Sequence, residues 1–225
     1  KETGIARYSA AVEKPSYTYA TGSSAVSLTV SFSLDMSTLP KSPFTDVVAG
    51  SWYFDAALYA SSHNLMLGTS PTEFSPNITM TRGMLVTVLY RMNGSPSVSG
   101  KTPFTDVRTD EWYSAAVLWA YQNGIVTGMS DTTFAPINNV TREQMATILF
   151  RYTKTAAPDK AKASADLSGF ADAGSVNDWA VDAMRWAVGQ KLIAGITLEQ
   201  SVYLQPRGNA TRAQAATVLT RYYAQ

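Results

Sequence analysis

Apolar side chains recur along most of the chain at the three- and four-residue spacing of an α-helix. One such stripe starts at a tryptophan and places small and aromatic residues on a single helix face. Its clearest copy consists of Trp112, Ala116, Trp119, Ala120 and Asn123. The same stripe occurs twice more, as Trp52, Ala56, Tyr59 and Ala60, and as Trp179, Ala183, Trp186 and Ala187. The pattern predicts three short amphipathic helices, each starting near its tryptophan.

A second helix is predicted to begin at each of three Thr-Arg pairs. A threonine suits the N-cap position, which Thr81, Thr141 and Thr211 would occupy. In two copies a glutamine, Gln144 or Gln214, lies three residues after the threonine and completes a capping box. The first copy has Met84 there, preceded by Gly83, so we expect its helix start to be weaker by about 1 kcal/mol.

These helices belong to a unit that occurs three times with matching offsets. Each copy has Phe-x-Asp, a tryptophan eight or nine residues after the Phe, a glycine sixteen residues after the tryptophan, and Thr-Arg five residues after a proline. The corresponding residues are Phe44/Asp46, Trp52, Gly68 and Arg82 in the first copy, Phe104/Asp106, Trp112, Gly128 and Arg142 in the second, and Phe170/Asp172, Trp179, Gly195 and Arg212 in the third. A second arginine follows each first one after nine residues (Arg91, Arg151 and Arg221). Because so small a two-helix unit cannot bury its stripes alone, the copies are predicted to pack on one another.

The repeats define the predicted domain organisation and a mainly α fold of three tandem helix-loop-helix units. The copies occupy 44–95, 104–155 and 170–225, with linker-like composition between them. Residues 1–43 differ, since apolar residues alternate there at period two on both sides of a Thr-Gly-Ser turn, which predicts a short N-terminal β segment. An isolated hairpin is marginal in water, so this segment either leans on the helices or ends a preceding β domain.

Composition excludes several classes of function. Lys plus Arg is 18 and Asp plus Glu is 17, and this net charge of +1 is too small for non-specific nucleic-acid binding. The chain has no cysteine, which excludes thiol chemistry, and its one histidine, His63, excludes multi-histidine metal sites and is expected at the surface end of a helix. We expect no metal, cofactor or catalytic residue. No apolar run approaches the about 20 residues of a membrane span, and a start at Lys1 without a signal segment suggests a piece of a larger protein.

The combination of Phe-x-Asp, tryptophan, mid-repeat glycine and Thr-Arg in three tandem copies resembles the S-layer homology modules of bacterial surface proteins. The resemblance covers residues 44–224. It implies a pseudo-threefold bundle with one central helix from each module and with grooves between neighbouring modules. It also implies an extracellular anchor that ties a larger N-terminal cargo region to the cell wall or S-layer by binding secondary cell-wall polysaccharide, an anionic glycan that often carries pyruvate ketals.

Three departures from the family pattern bear on the grooves. The Glu of the family's Thr-Arg-Ala-Glu motif is replaced by Met84, Gln144 and Gln214, which removes a negative charge each time. The third copy has Ala180 where the others have a tyrosine after the tryptophan. Its glycine-to-proline loop is also longer, eleven positions instead of eight, so an altered groove is expected there.

Each Thr-Arg pair places a cation in the first turn of a helix. The macrodipole disfavours a cation there by up to about 1 kcal/mol, so a compensating partner is expected for Arg82, Arg142 and Arg212. One candidate is an ion pair with Asp46, Asp106 or Asp172. The other is an anion site in which the guanidinium and the helix N–H groups bind a ligand carboxylate, with the aspartate orienting the arginine from behind. For the anion site we expect Arg142→Ala and Arg212→Ala to weaken wall binding with a nearly unchanged melting curve.

The tryptophans and glycines complete the candidate glycan-binding set. Trp52, Trp112 and Trp179 are either core residues at a helix start or partly exposed indoles that offer a flat face to sugar C–H groups, and the resemblance favours exposure. Tyr59, Trp119 and Trp186, seven residues later, are predicted core. Gly68, Gly128 and Gly195 either permit close approach of the glycan or satisfy backbone geometry alone.

Two other functions compete with the wall anchor. A glycoside hydrolase would need paired carboxylates such as Asp178 with Asp182 or Asp106 with Asp110. These acids lie beside a helix start, where acidic residues are ordinary, so they do not indicate catalysis. The stronger alternative is a structural module that binds protein partners or self-assembles.

Overall fold

The computed structural model describes residues 41–224, which form a mainly α-helical fold. The helices are α1 (Phe54–Ser62), α2 (Arg82–Met92), α3 (Ser114–Gln122), α4 (Arg142–Ala156), α5 (Val181–Gly189) and α6 (Arg212–Tyr223). A hairpin of β1 (Ile196–Leu198) and β2 (Ser201–Tyr203) and 3₁₀ turns at Pro158–Lys162, Ala173–Ser175 and Asp178–Ala180 complete the described part. The helix-loop-helix repeat is confirmed three times. The β segment predicted within residues 1–43 falls almost entirely outside the described residues.

Each repeat packs its first helix on the second helix of the preceding repeat. Helix α3 contacts α2, and α5 contacts α4. Helix α1 of the first repeat contacts α6 of the last repeat, so the three repeats form a closed ring. The apolar stripes are therefore buried between repeats, which confirms that the copies pack on one another.

Three backbone hydrogen bonds close the centre of this ring. They join the residues that precede the three N-caps: Met80 N–H donates to Ala210 O (2.8 Å), Ala210 N–H to Val140 O (2.9 Å), and Val140 N–H to Met80 O (2.9 Å). All three residues are fully buried. Each repeat thus donates one bond and accepts one, which gives the fold an approximate threefold order.

The caps of the second helices follow the sequence prediction. Thr141 and Thr211 each form a complete capping box with the glutamine three residues later. At α2 the Thr81 hydroxyl accepts from Met84 N–H, but no side chain returns the second bond. The weaker start predicted for α2 thus has a structural basis, the missing reciprocal hydrogen bond.

The predicted core aromatics are placed as expected, with one partial exception. Trp119 and Trp186 are 5% and 1% exposed. Tyr59 is only half-buried and stacks on His63 with ring centroids 3.9 Å apart. His63 is the exposed C-cap residue of α1, which confirms its predicted place at the end of a helix.

The longer loop of the third repeat contains the hairpin. Strands β1 and β2 pair antiparallel, with Ile196 opposite Tyr203 and Leu198 opposite Ser201. The longer segment between Gly195 and Pro206 therefore forms the β1–β2 hairpin. Among the helices of residues 41–224, none is both long enough and apolar enough to span a membrane.

Candidate functional site

The aspartates of the three Phe-x-Asp motifs hold the loops that precede the second helices. Asp46 accepts hydrogen bonds from the backbone N–H groups of Phe74 (2.8 Å) and Ser75 (2.7 Å). The other two aspartates make the same pair of bonds, Asp106 to Phe134 and Ala135, and Asp172 to Leu204 and Gln205. Both oxygens of each carboxylate thus accept a hydrogen bond from a backbone N–H group. Within residues 41–224 no carboxylate lies within 4.0 Å of the Arg82, Arg142 or Arg212 guanidinium, so the direct ion-pair alternative is wrong.

Each of these arginines reaches a backbone carbonyl of the next repeat in the ring. The Nε–H of Arg82 donates to Phe134 O (2.9 Å), that of Arg142 to Leu204 O (2.7 Å), and that of Arg212 to Phe74 O (2.8 Å). The accepting residues are the ones whose N–H groups are held by the aspartates. Each of these loop residues therefore donates its N–H to an aspartate and accepts an arginine hydrogen bond at its carbonyl oxygen. The aspartate orients the arginine only indirectly, through this shared loop residue.

The N–H groups of the helix starts are already used. Arg82 N–H donates to Asn138 O (2.9 Å) and Gly83 N–H donates to Pro136 O (2.8 Å). The other two helices repeat this arrangement, with Arg142 and Glu143 bonded to Gly208 and Pro206, and Arg212 and Ala213 bonded to Ile78 and Pro76. Because these donors are satisfied by the neighbouring loop, the predicted anion site built partly on helix N–H groups is wrong. Only the guanidinium groups remain from that hypothesis.

Burial of the guanidinium groups changes what they can do. The three arginines are only 5%, 5% and 6% exposed. Burial lowers the pKa of Arg82 to about 10; the Asp106 charge opposes this shift and the Arg151 charge adds to it. Burial also lowers the pKa of Arg142 and of Arg212, against the opposing charges of Asp172 and Asp46. These cations are therefore structural, and an unchanged melting curve on their removal is no longer expected.

An open groove of about 380 Å³ lies beside Arg82 and draws on all three repeats. The first repeat contributes Arg82, the second contributes Gly128 and one face of α4, and the third contributes Trp179. The lining residues are Arg82, Val126, Thr127, Gly128, Met129, Gln144, Thr147, Ile148, Arg151 and Trp179. Three residues of the predicted glycan-binding set thus meet in one groove, although they come from different repeats.

Helix α4 presents three polar residues and one isoleucine to this groove. Gln144, Thr147, Ile148 and Arg151 follow the i, i+3, i+4, i+7 spacing of a single helix face. Arg151 also donates to the Thr127 hydroxyl (3.3 Å) across the groove wall. Sequence reasoning did not include Arg151 in the site, although the repeated nine-residue spacing was a signal. Nine residues are two and a half turns, so Arg142 and Arg151 project from opposite sides of α4 and serve different repeat boundaries.

The three tryptophans are exposed, which excludes the core alternative. Trp52, Trp112 and Trp179 are 66%, 58% and 53% exposed, and each lies two residues before the first helix of its repeat. Trp52 and Trp112 stand edge-on to the following tyrosine, with ring centroids 5.3 and 5.1 Å apart. Within residues 41–224 no aromatic ring pairs with Trp179.

The repeated glycines have a packing reason. A Cβ on Gly68, Gly128 or Gly195 would lie 2.5–2.9 Å from the Phe of the same repeat's Phe-x-Asp motif. Gly128 and Gly195 also have φ of 80°. Of the three, Gly128 lines the groove beside Arg82. Its role in approach of a ligand stays a prediction, since the phenylalanine contact alone requires glycine.

A second open cleft, of about 400 Å³, lies at the far ends of α1, α2 and α6. It is lined by His63, Leu67, Arg91 and Tyr223, among others, and contains none of the predicted site residues. One of the two carboxylate pairs nominated for a hydrolase, Asp106 with Asp110, is engaged by other partners. Asp106 binds loop N–H groups, and the exposed Asp110 pairs with Arg108 (2.8 Å), whose hydrogen bond lowers the Asp110 pKa.

Comparison with known families gives a match over most of the described chain. The family model of the S-layer homology domain matches residues 43–83, 103–146 and 169–216. Each matched segment runs from the Phe-x-Asp motif into the second helix of one repeat. The three segments correspond to the three repeats of the ring.

Individual relatives combine this region with much longer chains. An endoglucanase of Bacillus sp. (strain KSM-635) is 34% identical over 178 residues, 79% of this chain and 18% of its own length. An amylopullulanase of Thermoanaerobacterium thermosulfurigenes is 28% identical over 78% of this chain and 9% of its own. The surface-layer 125 kDa protein of Lysinibacillus sphaericus is 32% identical over 68% of this chain and 12% of its own. This chain therefore spans less than a fifth of the length of each of these relatives.

Proposed function

Because the chain belongs to the S-layer homology domain family, we propose that it anchors a surface protein to the bacterial cell wall by binding an anionic wall polysaccharide in the groove beside Arg82. Proteins of this family are associated with the bacterial cell surface or wall. The relatives carry the matched region as a small part of a long chain. We propose the same arrangement here, with the cargo region elsewhere in a larger protein.

The charge of the groove carries this proposal. Arg82 and Arg151 both line it, and its lining residues include no aspartate or glutamate. The two guanidinium groups disfavour each other electrostatically, since the Arg151 charge contributes to the lowered Arg82 pKa. An anion placed between them relieves this repulsion and forms charge-assisted hydrogen bonds. Gln144, where the family motif has Glu, keeps the helix cap without adding a competing carboxylate.

The remaining lining residues suit a sugar. The exposed indole of Trp179 offers an apolar face for sugar C–H groups, and its N–H is a donor for a hydroxyl. Thr127 and Gln144 provide further hydrogen-bonding groups beside the two arginines. A sugar with a planar carboxylate substituent, such as a pyruvate ketal, matches this combination because a guanidinium binds a carboxylate through two parallel N–H groups.

The alternatives have less support. A hydrolase needs a general acid with a raised pKa, whereas the pKa of Asp110, one of the four nominated acids, is lowered by Arg108. The matches to the endoglucanase and the amylopullulanase cover 18% and 9% of those enzymes, so they reflect the shared repeats. A purely structural module would give no reason for a groove that carries two cations and an exposed indole.

Binding to purified walls tests the proposed function. Arg151→Ala is expected to weaken binding about 10- to 100-fold, because it removes a charged hydrogen-bond donor from the groove. Trp179→Ala is expected to weaken it by up to about tenfold through the lost stacking face. The matched control is Arg185→Ala, which removes the same charge from an exposed position of α5 outside the groove lining.

The ligand is identified by isotherms with pyruvylated and unpyruvylated wall glycan, together with sedimentation on walls stripped of this glycan. Preference for the pyruvylated form and loss of binding to stripped walls are expected. Undiminished binding to stripped walls would instead favour a protein partner. Sustained release of reducing sugar from the glycan would make the chain a hydrolase.

A further inference from the structure

A buried carboxylate connects α4 to the segment that carries Trp179. Glu143, the second residue of α4, is only 2% exposed. One of its oxygens accepts from the backbone N–H of Asn177 (3.0 Å), and the other accepts from the Asn177 side-chain amide. Asn177 lies two residues before Trp179, at the start of the 3₁₀ turn Asp178–Ala180.

This contact replaces a different one in another repeat. In the first repeat the residue equivalent to Glu143 is Gly83, and an ideal Cβ on Gly83 would lie 3.4 Å from the Tyr113 ring. That tyrosine is buried and stands edge-on to Trp112. The third repeat has Ala180 in place of the tyrosine, and Glu143 binds Asn177, three residues before Ala180. A ring thus supports the tryptophan at one repeat boundary, and a hydrogen-bonded carboxylate occupies the corresponding place at the next.

The buried carboxylate of Glu143 depends on the hydrogen bonds from Asn177. A buried carboxylate is costly unless donors satisfy it, and no cation lies within 4.0 Å of Glu143 in residues 41–224. Asn177 supplies two donors to it and presents its own carbonyl oxygen to Arg207 (3.4 Å). The amide therefore links Glu143 to Arg207 in one defined orientation. Both hydrogen bonds to Glu143 are lost if the segment carrying Trp179 moves away.

We propose that Glu143 and Asn177 are positioning residues that hold Trp179 at the wall of the groove, an inference that rests on the proposed function. In residues 41–224 the Trp179 indole has no aromatic neighbour that would limit its motion. If the Glu143–Asn177 contact is removed, the segment that carries the indole also loses these two hydrogen bonds. A glycan would then have to order the segment as it binds, and ordering a mobile side chain weakens affinity. The pair thus sets the groove geometry of this boundary before the ligand arrives.

A double-mutant cycle with Trp179 tests the inference. Glu143→Ala places at this position the residue that α6 has at Ala213, and Asn177→Ala removes the side-chain donor alone. Each variant is expected to weaken binding of purified pyruvylated wall glycan about 3- to 10-fold. In a Trp179→Ala background neither change should weaken binding further, because the effect acts through the indole. Glu199→Gln, at an exposed residue of the hairpin turn, is the control and should bind as the unmodified chain does.

A second measurement separates positioning from general destabilisation. In indole ¹H–¹⁵N spectra of the folded chain, Glu143→Gln should shift or broaden the Trp179 signal and leave those of Trp52 and Trp112 in place. If Trp179→Ala weakens binding but the Glu143 and Asn177 variants do not, the positioning inference is wrong and the proposed function stands. Equal losses with and without Trp179 also overturn it. If Trp179→Ala itself leaves binding unchanged, the proposed glycan groove is wrong.

Discussion

The buried arginines explain how a cation is tolerated in the first turn of a helix. The helix dipole and burial both disfavour the charge of Arg212. Its Nε–H and Nη2–H donate to the carbonyls of Phe74 (2.8 Å) and Leu67 (2.6 Å), and the guanidinium carbon lies 4.8 Å above the Phe74 ring. Carbonyl dipoles and an aromatic face thus provide the compensation for which the sequence suggested an aspartate. The aspartate supports the same loop from its other side.

At the residue scale we predict a graded loss of stability on removal of these arginines. Arg142→Ala leaves the buried Leu204 carbonyl without its donor, and this should cost about 1 to 3 kcal/mol. Arg212→Ala loses two carbonyl partners and the ring contact, so its cost should be larger. Urea unfolding measures both, with Arg185→Ala expected within about 0.5 kcal/mol of the unmodified chain. Equal stability of all three variants would mean that the buried guanidinium groups contribute nothing net.

Individual site residues differ in how far the sequence could predict them. The positions of the tryptophans, Arg82 and Gly128 follow from fixed offsets within the repeat, whereas the exposure of the tryptophans was implied only by the family resemblance. The Glu143–Asn177 contact does not follow from such offsets, because it joins residues 34 positions apart in two repeats, and the equivalent of Glu143 in the first repeat is a glycine. The sequence shows Arg151 as a repeated residue. Which repeat faces its side of α4, however, can be known only from the order of the repeats in the ring.

At the element scale we predict that the start of α2 is the weakest of the three second helices, because it lacks the reciprocal capping bond. Met84→Gln supplies the missing reciprocal bond to the Thr81 backbone N–H, as Gln144 and Gln214 do in α4 and α6. A completed cap should add about 0.5 to 1 kcal/mol and raise the melting temperature by roughly 1 to 4 °C. Gln144→Met in α4 should lower it by a similar amount. A thermal melt in which Met84→Gln has no effect would show that the cap of α2 is already satisfied by solvent.

Helix periodicity and caps were predictable because they depend on residues three or four positions apart. The hairpin of β1 and β2 was not, because strands of three residues are too short to show a two-residue alternation. The first helices also begin two residues later than the tryptophans, because each tryptophan lies in a turn that precedes the helix. In these turns Ser51 O, Glu111 O and Asn177 O accept hydrogen bonds from the N–H groups of the third residue onward, which are Phe54, Ser114 and Ala180. Such turns depend on local backbone bonds rather than on the apolar stripe.

At the scale of the whole molecule, the closed ring makes the site a property of three repeats together. The groove takes Arg82 from the first repeat, the face of α4 from the second and Trp179 from the third. If the other two boundaries bind as well, the rigid ring presents several sites to one polymer, and linked sites strengthen each other's apparent affinity. The order of the repeats around the ring could not be read from the sequence, because every boundary uses the same motifs.

The ring also predicts that no pair of repeats folds independently. Removal of residues 157–225 deletes the partners of α1 and α4 and the Ala210 carbonyl that receives the Met80 N–H. We expect the remaining chain to lose its cooperative melting transition and its wall binding, because two of the three repeat boundaries are gone and their apolar stripes face water. Calorimetry and wall sedimentation measure the two effects. As a control, fragments 1–97 and 98–225 retain all three boundaries when mixed and should reassemble, since together they contain every helix and every contact between helices. A shortened chain that melts cooperatively near the temperature of the full one would show that one boundary between repeats is sufficient for folding.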